Sequence, residues 1–237
     1  MKKIIIAGLA TVLLIIGSVG NANATAITFL GEDLYGGRVN ADAANASFMS
    51  VLTGVGTEDF ESFAYRSTAP IDLDFGVSGT ATLSGNGRIK NGDSAGRWAT
   101  SGSKYWETNQ NFNITFTEAV SAFGFYGTDI GDFGGEVILT YTNGSTTTLG
   151  IGNTTGARDG SVLYFGFYED DQDMAFDFIS FSNTNGSDWF GFDDMTIGTF
   201  TQIAQISQTP EPATILLMGI GLLGVASYSR KRINKKS

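Results

Sequence analysis

The chain has 237 residues and a formal net charge of −10, from 14 basic and 24 acidic residues, and it contains neither cysteine nor histidine. The missing cysteine excludes disulfides, thiolate nucleophiles and cysteine-ligated zinc, haem or iron–sulfur sites. The missing histidine excludes a Ser-His-Asp triad, an imidazole base and an ordinary zinc or copper centre. Carboxylates, hydroxyls and backbone groups remain. They suit a calcium site, a sugar-binding surface or a carboxylate-pair hydrolase.

Glycine is abundant, at 32 residues against three prolines, which is roughly twice its average share. Hydrophobic residues make up 42% of the chain, and this is enough for a packed core. A chain of this length and composition is typical of one all-β domain with glycine in its turns.

The N-terminal end has the pattern of a secretory signal peptide. A lysine pair precedes an apolar run over residues 4–19, and the small residues Ala22 and Ala24 mark a cleavage site. We therefore expect export, with the mature chain beginning at Thr25 or, as a later option, at Ile27. An uncleaved membrane helix is the alternative interpretation.

The C-terminal end has a second targeting pattern, made of a Pro-Glu-Pro triplet, an apolar stretch over residues 213–228 and a basic cluster. The stretch is shorter than the ~20 residues of a comfortable span, but cations that snorkel to the cytoplasmic face allow one transmembrane helix. The triplet is Pro210, Glu211 and Pro212, and the cluster is Arg230, Lys231 and Arg232.

This tail resembles the PEP-CTERM sorting signal, which covers about the last 25 residues. The resemblance implies processing by an exosortase, a membrane enzyme of Gram-negative bacteria that make exopolysaccharide, with cleavage near the Pro-Glu-Pro triplet. It also implies transient anchoring in the inner membrane, followed by delivery to the outer surface or the extracellular matrix. An ordinary C-terminal anchor is the alternative.

The basic residues are concentrated in the two targeting ends. Residues 25–209 contain 23 acidic and seven basic residues, a net charge of −16. Because phosphate binding needs a basic surface, nucleic acid is not an expected partner, whereas cations and neutral sugars are compatible. The expected organisation is a signal peptide at 1–24, one domain at 25–200, a spacer at 201–209, the sorting segment at 210–232 and a cytoplasmic tail at 233–237.

Most of the body alternates in hydrophobicity with the two-residue period of β-strands. An Asn-Gly pair at residues 143 and 144 predicts a tight hairpin. About ten candidate strands with frequent turn signals predict an antiparallel, jelly-roll-like β-sandwich. The clearest segments are residues 71–75, 112–116, 123–126, 136–142, 146–151, 162–167, 176–181 and 189–197.

One segment has the helical period instead. Asn40 is an expected N-cap for residues 41–52, whose apolar side chains recur on one side at Ala44, Phe48, Val51 and Leu52. We predict a short amphipathic helix that covers one open end or edge of the sandwich.

Two acidic motifs lie near the start and the end of the body. Glu61 belongs to the first motif, and Asp193 and Asp194 belong to the second. They resemble the arrangement in jelly-roll binding modules, such as MAM-type and carbohydrate-binding domains, in which acids from the two ends meet at one calcium ion. The resemblance implies these three residues as calcium ligands. Solvated strand ends are the alternative.

A glycine-rich loop over residues 127–135 is a second candidate site. Asp129 and Asp132 suit calcium or sugar hydroxyls, and Phe133 suits stacking on a pyranose ring. A loop whose aspartates cap its own amides fits the same spacing. The acidic run at residues 169–173 lacks the glycine and alternating ligands of an EF-hand, so we interpret it as a solvated turn.

The leading functional hypothesis is a non-enzymatic surface or matrix protein of a biofilm-forming bacterium. Its sandwich would bind calcium, exopolysaccharide or other surface proteins. The alternative is a secreted polysaccharide hydrolase or lyase that uses a carboxylate pair. No pair of acids stands out among the others in the body, so we predict no catalytic residues.

Overall fold

The structure is a computed structural model that describes residues 26–34, 37–130, 135–151, 160–183 and 189–204. The predicted signal peptide, sorting segment and cytoplasmic tail lie outside these residues. Within the described part of the chain, no helix is both long and apolar enough to span a membrane. The same part forms two antiparallel sheets and one α-helix, which confirms the predicted β-sandwich.

Thirteen strands and one helix follow one another along the described residues. In chain order they are β1 (Ile27–Asp33), α1 (Val39–Ser50), β2 (Gly56–Glu58), β3 (Ile71–Asp74), β4 (Thr80–Gly85), β5 (Arg88–Asn91), β6 (Lys104–Thr108), β7 (Phe112–Val120), β8 (Ala122–Thr128), β9 (Gly135–Tyr141), β10 (Thr146–Gly150), β11 (Val162–Tyr168), β12 (Phe176–Asn183) and β13 (Phe190–Gly198).

The first sheet has seven strands in the order β1-β11-β8-β13-β6-β5, with β2 also paired to β13. The second sheet has six strands in the order β10-β9-β12-β7-β4-β3. All eight clearly predicted strands are present, and the Asn-Gly pair joins β9 to β10 as an antiparallel hairpin. The sequence pattern missed β1, β2, β4, β5 and β6.

The core between the sheets consists largely of phenylalanine rings from inward-facing positions. In the second sheet, Phe112 and Phe181 stack with centroids 4.2 Å apart. Phe192 of the first sheet meets Phe112 edge-on at 4.9 Å, and Phe125 meets Phe181 edge-on at 5.3 Å. These offset and edge-on contacts are the favoured aromatic geometries, so they join the two sheets through one packed layer.

Helix α1 begins at Val39 rather than at residue 41, and Asn40 is not its N-cap. The cap is supplied from outside the helix, because the Asp33 carboxylate accepts hydrogen bonds from the N–H groups of Asn40, at 2.8 Å, and Ala41, at 2.9 Å. The prediction of Asn40 was wrong because a more distant acid satisfies the free N–H groups of the first turn.

The helix lies on the outer face of the first sheet, near the edge strand β1. Phe48 is fully buried there, and its ring packs over Gly124 and Gly166. A Cβ atom at either glycine would lie 2.9 Å from that ring. The two glycines therefore allow the helix to approach β8 and β11 closely.

The packed domain continues beyond the predicted boundary at residue 200. Ile203 is buried and forms a bridge with Leu52, which follows the helix. Ala204 donates a hydrogen bond of 2.7 Å to the carbonyl of Val51. The predicted spacer therefore starts too early, because residues 201–204 pack against the end of α1.

Candidate functional site

A second element covers the outer face of the first sheet beside the helix. We call it the covering segment, residues 92–103 between β5 and β6. Trp98 of this segment packs with the helix residues and Tyr126 in the outer apolar cluster. At the start of α1, the guanidinium carbon of Arg38 lies 4.8 Å from the centroid of the Tyr126 ring. The same guanidinium donates a hydrogen bond to the backbone carbonyl of Thr100. The helix and the covering segment therefore meet at this arginine.

The predicted acids Asp193 and Asp194 fasten the covering segment to β13. Asp193 Oδ2 accepts hydrogen bonds from the N–H groups of Thr100, at 2.6 Å, and Ser101, at 3.1 Å. The Thr100 hydroxyl lies 2.8 Å from Asp194 Oδ2, and the Ser101 hydroxyl lies 2.6 Å from Asp194 Oδ1. Both carboxylates are thus acceptors for the same two residues.

A β-bulge allows two consecutive side chains to reach one segment. Neighbouring residues in a regular strand point to opposite faces. The pairing of β13 with β8 shifts register between Asp193 and Thr196, and Asp194 has a φ of +47°. The bulge turns the strand locally, so that both aspartates face the covering segment.

Burial makes the Asp193 carboxyl group a weaker acid than usual. The residue is 1% exposed. Desolvation, followed by the nearby charge of Asp194, raises the pKa of Asp193 to about 8. Hydrogen bonds from the backbone of Thr100 and Ser101 act in the opposite direction, because they favour the charged carboxylate.

Glu61 holds the other end of the covering segment. Its carboxylate accepts hydrogen bonds from the N–H groups of Ser103, at 2.6 Å, and Lys104. Desolvation would raise the pKa of Glu61, but these hydrogen bonds, a further one from the Ser103 hydroxyl and the nearby Lys104 charge together outweigh it and lower the pKa. The Lys104 ammonium donates hydrogen bonds to the backbone carbonyls of Glu61 and Phe63.

The structure therefore brings the three predicted calcium ligands to one stretch of chain, residues 100–104. Glu61 contacts one end of this stretch, and Asp193 and Asp194 contact the other. All of their carboxylate oxygens accept hydrogen bonds from the protein. No group of three acidic side chains in the described ranges is arranged to hold a metal ion. Calcium binding by these residues stays a prediction.

Asp129 belongs to a separate buried ion-pair network. Its carboxylate lies 3.3 Å from Arg97 Nη1, and Arg97 Nε lies 3.0 Å from Glu107 Oε1. Arg88 donates to the other oxygen of Glu107 at 2.9 Å. Because Glu107 is only 1% exposed, both arginines compensate a charge that would otherwise be costly to bury.

The other members of the predicted ligand loop, Asp132 and Phe133, lie outside the described residues. Trp106 is fully buried in the core and is not accessible to a ligand. Trp98 and Trp189 each lie beneath an arginine guanidinium.

The acidic run at residues 169–173 is only partly the solvated turn that the sequence predicts. Glu169 is fully buried, and its carboxylate accepts a 2.5 Å hydrogen bond from the Tyr141 hydroxyl. Burial is the main cause of the raised pKa of Glu169. The aspartates that follow are exposed, and Asp171 caps the N–H of Asp173.

The second sheet presents a different kind of surface, which we call the open face: the outward-facing side chains of β10, β9, β12, β7, β4 and β3. These side chains are exposed or half-buried. Strand register places them in rows that run across the sheet. One row is Thr146, Thr140, Phe178, Thr115, Thr82 and Asp72, and the next is Thr148, Ile138, Ser180, Asn113 and Ser84.

Two rows of the open face carry no charge where they cross its four central strands. On the four central strands, the two rows contain only threonine, serine, asparagine, phenylalanine and isoleucine. Asp72 stands at the edge, where it accepts a 3.1 Å hydrogen bond from Thr82. The alternating polar residues of these strands were visible in the sequence, but their alignment into rows depends on register. Sequence reasoning therefore missed this surface.

Residues 208–232 match the PEP-CTERM protein-sorting motif, so the chain carries this signal. The comparison with curated proteins found no match. Three similar solved structures are the K2 cleaved adhesin domain of Lys-gingipain, a family 22 carbohydrate-binding module of Clostridium thermocellum Xyn10B and the xylan-binding domain of Paenibacillus barcinonensis Xyn10C.

The adhesin domain is 17% identical with a TM-score of 0.39, covering 62% of this chain and 98% of the other. The Clostridium module is 13% identical with a TM-score of 0.37, covering 62% and 94%. The Paenibacillus domain is 13% identical with a TM-score of 0.39, covering 66% and 98%.

Proposed function

We propose that the chain is an exosortase-processed protein of the outer surface or extracellular matrix, and that its sandwich binds polysaccharide without catalysing a reaction. The sorting motif at residues 208–232 supports delivery to the surface. The observation that carries the binding proposal is the open face, because it joins a half-buried aromatic ring, Phe178, to rows of hydroxyl groups on one accessible sheet.

This combination suits a sugar polymer. Hydroxyl and amide side chains both donate and accept hydrogen bonds, as sugar hydroxyls do. Binding sites for such ligands typically combine aromatic surface with a few placed polar groups. A β-sheet also holds these groups on a rigid support, which lowers the entropy lost on binding.

Catalysis by a carboxylate pair is the rival function. It needs two acids that face each other across the scissile bond, one of them with a raised pKa. Asp193 and Glu169 have raised pKa values, but Asp193 is bound to the covering segment and Glu169 to Tyr141. These contacts give both acids a structural role, which favours the binding function. The rival function would be favoured if the wild-type protein released reducing ends from the host polysaccharide and the Asp193→Asn variant did not.

Sorting is tested by mass spectrometry of the protein recovered from the producing bacterium. We expect a mature chain that lacks Arg230, Lys231 and Arg232. The matched control replaces Pro210, Glu211 and Pro212 with alanine, which should leave the basic cluster in place and the protein in the membrane fraction. Recovery of the intact basic cluster from the wild type would contradict processing.

Binding is tested by sedimenting the purified body with extracellular polysaccharide from the same bacterium. Retention of the wild-type protein by the polysaccharide is the expected result. Calcium is varied in the same assay, because calcium binding at Glu61, Asp193 and Asp194 is a further prediction. No retention with calcium or with chelator would reject the binding function.

A further inference from the structure

We infer that the ligand is a neutral polysaccharide that lies across the strands of the open face, with Phe178 as its stacking platform. This inference rests on the proposed function and adds a ligand class, a position and an orientation to it.

The orientation follows from the strand register. Neighbouring strands are about 4.8 Å apart, and outward residues along one strand repeat at about 6.8 Å. A polymer that crosses the sheet along a row therefore meets one side chain at every strand. The distance between these side chains is close to the length of one sugar unit. Thr82, Thr115 and Thr140 supply hydroxyls in the first row, and Asn113 and Ser180 supply an amide and a hydroxyl in the second.

Phe178 faces outward at the centre of the first row. Its neighbours Ile179 and Phe181 belong to the core and Phe178 does not, so the outward position follows from the alternation of β12. The paired residues on either side are Thr115 and Thr140, whose side chains are short. A half-buried ring between short hydroxylated side chains presents an apolar face to a pyranose ring while its neighbours remain available for hydrogen bonds.

The charge pattern selects a neutral polymer. Protein surfaces commonly contain about 25–35% charged residues, but the eight outward residues of the two rows on β9, β12, β7 and β4 contain none. This occurs in a body whose net charge is −16. Acidic residues lie around these eight: Asp177 is exposed next to Phe178 on β12, Glu118 is exposed on β7, and Asp72 and Glu136 lie on β3 and β9. The surrounding acids repel an anionic polysaccharide. A neutral polysaccharide can bind along the uncharged rows without desolvating a charged side chain.

The experiment uses the producing bacterium's extracellular polysaccharide, separated by anion exchange into a neutral and an acidic fraction. Affinity electrophoresis measures the binding of the wild type, Phe178→Ala and Asn113→Asp to each fraction. Asn91→Asp is the matched control, because Asn91 is exposed at the end of β5 in the first sheet and the substitution adds the same charge. Thermal melts establish that each variant is folded.

We expect the neutral fraction to retard the wild type and Asn91→Asp equally. Phe178→Ala and Asn113→Asp should each bind roughly 3- to 10-fold more weakly. Equal binding by all four proteins, or retardation by the acidic fraction alone, would overturn the inference and leave the proposed function standing. Retardation by neither fraction would instead reject the proposed function itself.

Discussion

Asp193 and Thr100 are 93 residues apart in the chain, yet the Asp193 carboxylate accepts a 2.6 Å hydrogen bond from the Thr100 N–H. The contact is buried, and the same oxygen also accepts from the Ser101 N–H. It ties the covering segment to a central strand of the first sheet.

Asp193→Ala should lower the free energy of unfolding by about 3 kcal/mol, because two backbone N–H groups lose their acceptor in a buried site. The matched control is Asp177→Ala, at an exposed position on β12, which should change stability by less than about 0.5 kcal/mol. Urea unfolding of both variants measures the difference. Equal stability of the two would contradict a structural role for Asp193.

The raised pKa of Asp193 predicts a pH dependence of stability. The folded-state pKa, about 8, lies above the ordinary value of 3.8, so the folded protein binds more protons than the unfolded chain between these values. This contribution to stability is complete below about pH 4 and is lost as the pH rises to about 8. The free energy of unfolding of the wild type should therefore fall relative to that of Asp193→Asn over this range. Parallel curves for the two proteins would show that Asp193 does not titrate there.

Glu107 should be critical for stability because it is paired with Arg97 and Arg88. Glu107→Gln should lower the free energy of unfolding by about 3 kcal/mol, since Arg97 is 11% exposed and would lose its closest buried counter-ion. Glu118→Gln, at an exposed position on β7, is the matched control and should be close to neutral. A stable Glu107→Gln variant would mean that Asp129 alone compensates Arg97.

Gly31 allows β1 and the start of α1 to approach closely. A Cβ atom at this position would lie 2.0 Å from the Asn40 carbonyl oxygen and 2.9 Å from the Ala44 Cβ atom. Gly31→Ala should therefore lower stability by about 1–3 kcal/mol through overpacking. Gly150→Ala is the control, because a Cβ atom there meets nothing within 4 Å. Thermal unfolding of both variants measures the effect, and equal midpoints would contradict it.

The predicted calcium site is tested by thermal unfolding in calcium and in chelator. A ligand that binds the folded state raises the unfolding midpoint by mass action. If Glu61 is a ligand, Glu61→Gln should remove the rise, whereas Glu118→Gln should preserve it. A wild-type midpoint that is equal in millimolar calcium and in chelator would reject calcium. In that case the three acids hold the covering segment and bind no metal.

The two-residue alternation of the sequence was enough to predict the sandwich. Core strands such as β7 and β12 have clear alternation because one face of each is buried, and hydrophobic burial is encoded locally. The missed strands β2 and β5 are short, with three and four residues, and are polar. Their pairing depends on contacts with distant strands, which no local pattern records.

The sorting signal was readable from local sequence, because an enzyme recognises such a signal as a short linear pattern. The composition also showed that the body is acidic, with neither cysteine nor histidine. The roles of individual acids were not readable in this way. Asp193 and Asp194 face the covering segment only because a bulge rotates their strand, and Asp33 caps a helix from outside it.

The tertiary structure likewise decided where the uncharged rows lie. Thr82, Thr115 and Phe178 belong to three strands that are far apart in the chain, and each is unremarkable in its own segment. They form a row because hydrogen bonds fix the register of β4, β7 and β12, and a shift of one residue would turn each of them to the core. Sequence alone determined which chemical groups the protein has, and long-range pairing determined which of them face the same ligand.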